Sequence, residues 1–71
     1  MRNPITELEC FASDILGDFV PVSSIVTDEA RGVVIVKDCP RCLMRVIRED
    51  WKRATFGNKY ERIRLVLVPA A

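Results

Sequence analysis

Cys39-Pro40-Arg41-Cys42 is the segment whose residue types and spacing come nearest to chemistry. It follows the apolar run Val33–Val36. If a helix starts at this point, its dipole and the Arg41 charge stabilise a thiolate and lower its pKa. Cys10 adds a third thiol, but a structural zinc site takes four Cys or His ligands and the chain has no histidine. A metal is therefore not expected, short of a site shared across a dimer. Without histidine, a serine-type triad lacks its base. Glu49 and Asp50 are adjacent, so on a helix they point about 100° apart and do not form a facing pair. Gly17, Gly32 and Gly57 are isolated and build no phosphate loop. Thiol chemistry at Cys39 and Cys42 is thus the one enzymatic reading, and the expectation is a non-enzymatic protein with no cofactor.

Charge is the stronger compositional signal. Residues 1–30 carry six acids against one base, and residues 31–71 carry four acids against ten bases, which sums to the net +1. Such asymmetry brings copies together or aims one side at a charged partner. On helical spacing, Glu7, Asp14 and Asp18 form an acidic stripe. Arg41, Arg45, Arg48 and Lys52 form a basic one. Four cations on one face also fit phosphate contact, with Arg53, Lys59, Arg62 and Arg64 nearby, although no aromatic residue interleaves them for base stacking.

The elements that position these residues follow from periodicity. Ile5, Leu8, Phe11, Ala12, Ile15 and Leu16 predict a helix over 4–16. Asn3 would be its cap, Pro4 its first turn, Thr6-Glu7-Leu8-Glu9 a capping box one turn on, and Gly17 its stop. Val20–Thr27 predicts a strand, and Pro21 near its start places it at a sheet edge. Residues 28–32 are a turn with Gly32 at positive φ. Val33–Lys37 is apolar on both faces and so predicts a central strand. Cys39 to about Phe56 predicts a second helix, capped by Asp38 or Cys39, with Leu43, Val46, Ile47, Trp51 and Ala54 on its buried side and Asp50 at the rim. Gly57-Asn58 ends it, and Tyr60–Val68 predicts a third strand in which Ile63, Leu65 and Leu67 alternate with Arg62, Arg64 and Val66. The second helix is then a crossover, which makes the third strand parallel to the second. The fold class is α+β: helix-strand-strand-helix-strand in a single domain over 1–71, with a three-stranded sheet whose helices cover one face and leave the other exposed or paired.

Two resemblances attach to these residues. Val33–Val46 resembles the active-site segment of glutaredoxins, which implies a redox role for Cys39 and Cys42. The cis-proline loop that faces the cysteines in that family has no counterpart here. The helix-hairpin-helix-strand order resembles the KH-like fold, and more closely the N-terminal interaction domain of the bacterial replication initiator DnaA. The matching residues are Phe11–Phe19, Val20–Thr27, Gly32–Val36, Leu43–Ala54 and Arg62–Val66. That likeness implies a domain that self-associates and receives protein partners during DNA replication. Cys39–Val46 lacks the aromatics that open the family's long helix, and the Gly-x-x-Gly loop of RNA-binding KH domains is missing.

The sequence therefore predicts a protein-interaction module that binds a protein partner, itself, or both, as a homo-oligomer. Its expected surface comprises Arg41, Arg45, Arg48, Lys52, Glu7, Asp14 and Asp18. Trp51 is read either as core or as an interface anchor. The alternatives are a thiol-redox or thiolate-metal protein and a small nucleic-acid-binding protein. No apolar run approaches the ~20 residues of a membrane helix. The early acids and odd cysteine number predict a cytoplasmic protein with no membrane partner.

Overall fold

The computed structural model describes residues 6–71; Asn3 and Pro4, read as cap and first turn, lie outside them. The first described helix, α1, spans Glu7–Leu16. Thr6 caps it, its hydroxyl oxygen accepting from the Glu9 backbone N–H at 3.1 Å and its hydroxyl donating to Glu9 Oε1 at 3.4 Å. This satisfies a donor that the helix leaves open at its start. Leu8, Ala12 and Leu16 form its buried stripe.

The predicted strand over Val20–Thr27 is shorter in the structure. Val22–Ser24 makes a 3-10 turn after Pro21, and the strand β1 is Ile25–Asp28. The turn to β2 is held by Asp28, whose Oδ1 accepts from the Arg31 N–H at 3.2 Å, and by Gly32 at φ 65°. β2, Val33–Cys39, is central in the sheet, with β1 antiparallel on one side and β3, Arg64–Pro69, parallel on the other. Both helices pack on one face, where Val34 and Val36 are fully buried with Leu8, Ala12, Leu16, Ile47 and Trp51.

The pairing of β2 with β3 is regular from Val33 to Val36 and then shifts before Cys39. Asp38, at φ 53°, takes the left-handed conformation at this bulge. Strict alternation from Val34 and Val36 would turn residue 38 inward. The irregularity instead puts Asp38 in solvent and Cys39, fully buried, into the core.

The second helix also starts later than expected. Cys39 ends β2, Arg41–Leu43 makes a 3-10 turn, and α2 is Met44–Thr55 with no side-chain cap. Neither Asp38 nor Cys39 caps it. Ile47, Trp51 and Thr55 are its buried residues, while Val46, read as buried, is 41% exposed on the flank. Thr55 is the buried polar residue of α2, and its hydroxyl donates to the Trp51 carbonyl at 2.9 Å. Asp50 sits half-buried at the rim, 3.6 Å from Arg53.

Gly57 at φ 75° ends α2, and Asn58 Nδ2 donates to the Ala54 carbonyl at 2.8 Å. The Gly57 N–H then donates to Glu61 Oε2 at 2.7 Å and the Tyr60 N–H to Asn58 Oδ1 at 2.8 Å. This bonding keeps Tyr60–Arg62 in a turn, so β3 begins at Arg64 rather than Tyr60. Tyr60 stacks on Phe11 at 4.1 Å, and Phe11 meets Trp51 edge-on at 5.5 Å. The aromatic trio ties α1, α2 and the turn before β3 together.

Asp38 supplies a direct test of the bulge. Left-handed backbone costs a side-chain-bearing residue roughly 1–2 kcal/mol, least for Asp and Asn. Asp38→Gly is expected to hold or raise the thermal midpoint, and Asp38→Val to lower it by about 4–8 °C per kcal/mol lost. Equal midpoints for the two variants would contradict the bulge geometry.

Candidate functional site

The structure places the two cysteines of the redox reading in different environments, Cys39 buried and Cys42 exposed. The thiol of Cys39 donates weakly to the Pro40 carbonyl at 3.6 Å, and Cys42 is exposed on the 3-10 turn. Burial pushes the Cys39 thiol up from its ordinary value; nearby Cys42 adds to this, and the Arg48 charge opposes it. The expected thiolate stabilisation is overturned for Cys39, because α2 begins at Met44, past both cysteines. Cys10, Cys39 and Cys42 are all free thiols. Among the described residues no group of three or more His, Cys, Asp or Glu side chains converges to hold a metal.

The charged stripes are exposed, but differ from their predicted form. Arg45, Arg48 and Lys52 run along α2 away from Ile47 and Trp51, while Arg41 precedes the helix on the 3-10 turn. Arg45 lies 3.5 Å from Glu49. Among the described residues no acid pairs with Arg41, Arg48 or Lys52 within 4.0 Å. On the acidic side, Asp14 is exposed on α1 and Asp18 lies just beyond it in a turn. Glu7 is already engaged: Lys59 bonds to it, holding its carboxyl below the usual range and the Lys59 ammonium above its own. Both groups are exposed, so the pair contributes little to stability. Trp51 is 5% exposed and belongs to the core, the first of its two expected readings.

Two apolar features stand out: Phe56, which the sequence did not single out, and the outer face of the sheet, which the element order predicted to be exposed or paired. Phe56 is 79% exposed at the end of α2, on the turn stiffened by Asn58 and Glu61. The larger feature is the outer face of the sheet, which no helix of the described residues covers. Pairing sets its rows: Asp28, Val33 and Arg64 in one, Val26, Ile35 and Val66 in the next. Val26, Val66 and Val68 keep more than a third of their surface in water. The signal was present in Val33-Val34-Ile35-Val36, apolar on both faces, and in the valines that alternate with Leu65 and Leu67.

Two shallow clefts complete the surface. One, of about 290 Å³, lies between Glu7, Leu8, Glu29, Lys59, Tyr60 and Ile63. The other, of about 310 Å³, lies between α1 and the edge strand β1. No helix of the described residues is long and apolar enough to cross a membrane. Compared with family models, with curated proteins and with solved structures, the chain matches none.

Burial divides the thiols in a measurable way. With a disulfide reagent at neutral pH, Cys10 and Cys42 are expected to react quickly, and Cys39 only as fast as the domain opens. A raised folded pKa disfavours the thiolate, so stability from this group holds below the ordinary thiol value and falls as pH climbs above it. A Cys39 that reacts as fast as Cys42 would restore the redox reading.

Proposed function

We propose that this chain is a non-enzymatic protein-interaction module that binds through the outer face of its sheet. The observation that carries the reading is the uncovered row Val26, Ile35 and Val66, with Val68 beside it. Apolar area removed from water is worth roughly 25 cal/mol per Å², so a patch of this kind supplies affinity that exposed charge pairs do not. The raised, buried Cys39 speaks against thiol catalysis. The stripes of α1 and α2 lie in the helical layer and add solubility and salt-dependent encounter. A role in replication or another nucleic-acid machine stays within the proposal, on the strength of the helix-hairpin-helix-strand order. A cytoplasmic setting is part of it too, supported by the free thiols.

Parallel affinity capture with wild type and Val66→Asp tests the site. Val66 is partly exposed, so the variant is expected to fold with a thermal midpoint near wild type. Partners held by wild type should be retained at least tenfold less by the variant. Retention unchanged by Val66→Asp but lost on charge reversal of Arg45, Arg48 and Lys52 would move the site to the basic stripe and overturn the outer-face reading.

A further inference from the structure

We infer that the outer face is self-complementary and that its partner is a second copy of this chain, stacked sheet on sheet about a twofold axis parallel to β2. This rests on the outer-face reading above and adds the occupant. The row Asp28, Val33, Arg64 carries an acid on edge strand β1, an apolar residue on central β2 and a base on edge strand β3. A twofold axis between two facing sheets, running along the strands, lays β1 of one copy over β3 of the other. Asp28 then faces Arg64 of the second copy, and Arg64 faces its Asp28. The next row obeys the same operator: Val26 meets Val66, Ile35 meets Ile35, and Val66 meets Val26.

Aligned sheets pack about 10 Å apart with strands within about 30° of each other. An arginine and an aspartate span that gap, and an axis bisecting the two strand directions accommodates the angle. An interface of this type is isologous, each patch contacting its own copy. A twofold across the strands is poorer, because it sets β1 on β1 and brings neither Asp28 nor Arg64 to an opposite charge. Lys37 marks the limit of the contact. It is exposed beside the bulge, one row beyond Ile35, where its stem carries the ammonium out to solvent.

Size sets the strength. Three strands and a few residues of each give a face roughly 15 Å on a side, short of the ~800 Å² per partner of a stable complex. The dimer is therefore weak and concentration-dependent.

Sedimentation equilibrium of the whole chain reads it, with two variants studied alone and mixed. Asp28→Lys sets lysine against Arg64 in both contacts, and Arg64→Glu sets glutamate against Asp28. Each alone should dimerise at least tenfold more weakly than wild type. In the mixed pair both contacts become attractive, so an equimolar mixture should recover wild-type association as a heterodimer. Asp28→Lys also removes the acceptor for the Arg31 N–H, so circular dichroism checks its fold. Should it not fold, Asp28→Asn keeps that acceptor, and adding it to Arg64→Glu must relieve the repulsion. Dimers whose variants fail to rescue one another overturn the axis. A wild type that stays monomeric at several hundred micromolar overturns the second copy as occupant, while partners lost to Val66→Asp would leave the interaction reading standing.

Discussion

Coverage of β2 governs the rest of this molecule. Its inner residues Val34 and Val36 are fully buried beneath two helices, and among the described residues its outer residues Val33 and Ile35 have no helix over them. Two helices of 10 and 12 residues can cap one face of a three-stranded sheet and no more. A core of this size contributes only a few kcal/mol, roughly 3–5. The inner packing is therefore close to indispensable, which accounts for the aromatic trio Phe11, Trp51 and Tyr60. Trp51 fills space between helices and sheet that no smaller residue of α2 would fill.

The bulge at Asp38 shows how one backbone irregularity changes the chemistry of a motif. Cys-Pro-Arg-Cys after a strand has the residues of a thiol site, and a helix beginning at Pro40 would lower the pKa of the first cysteine. Here the strand continues through Cys39, and the bulge rotates its side chain into the core. The 3-10 turn Arg41–Leu43, which carries Cys42, then separates Cys39 from α2. Desolvation outweighs the Arg48 charge, and the thiol moves up rather than down. Cys39 thereby becomes a packing contact of the core, while Cys42 stays exposed.

What could be read from the sequence was whatever a single residue or a short period decides. Thr6 as a cap, Gly32 at a hairpin, Gly57-Asn58 at a helix end and the central position of Val33–Val36 each have a local cause, and each stands in the structure. The α+β class and the parallel third strand followed from element order. Element ends failed where a tertiary contact decides them. Tyr60 has strand propensity but stacks on Phe11, and Val22–Ser24 turns after Pro21 before β1 begins. The bulge at Asp38 has no residue signature, so the burial of Cys39 could not be foreseen. Of the candidate surface, the charged residues were legible because charge is visible one residue at a time. An outer face left exposed or paired was expected, but its rows were not, since they exist only once the register of three strands is set.

The two kinds of surface act on different scales. The molecule is 21 Å across its shortest axis, and the screening length near physiological salt is about 8 Å. Charges on the helical side are therefore largely screened from a complex formed on the outer face of the sheet. In the proposed complex they would act on solubility and encounter, while desolvation of valine and isoleucine would set how long it lasts. Asp28 and Arg64 differ from the helical charges because they border the apolar rows themselves. There a favourable pair adds little affinity, but a like-charge pair is strongly unfavourable. In the proposed dimer these two residues would select orientation among faces that the apolar contact alone would accept in several ways.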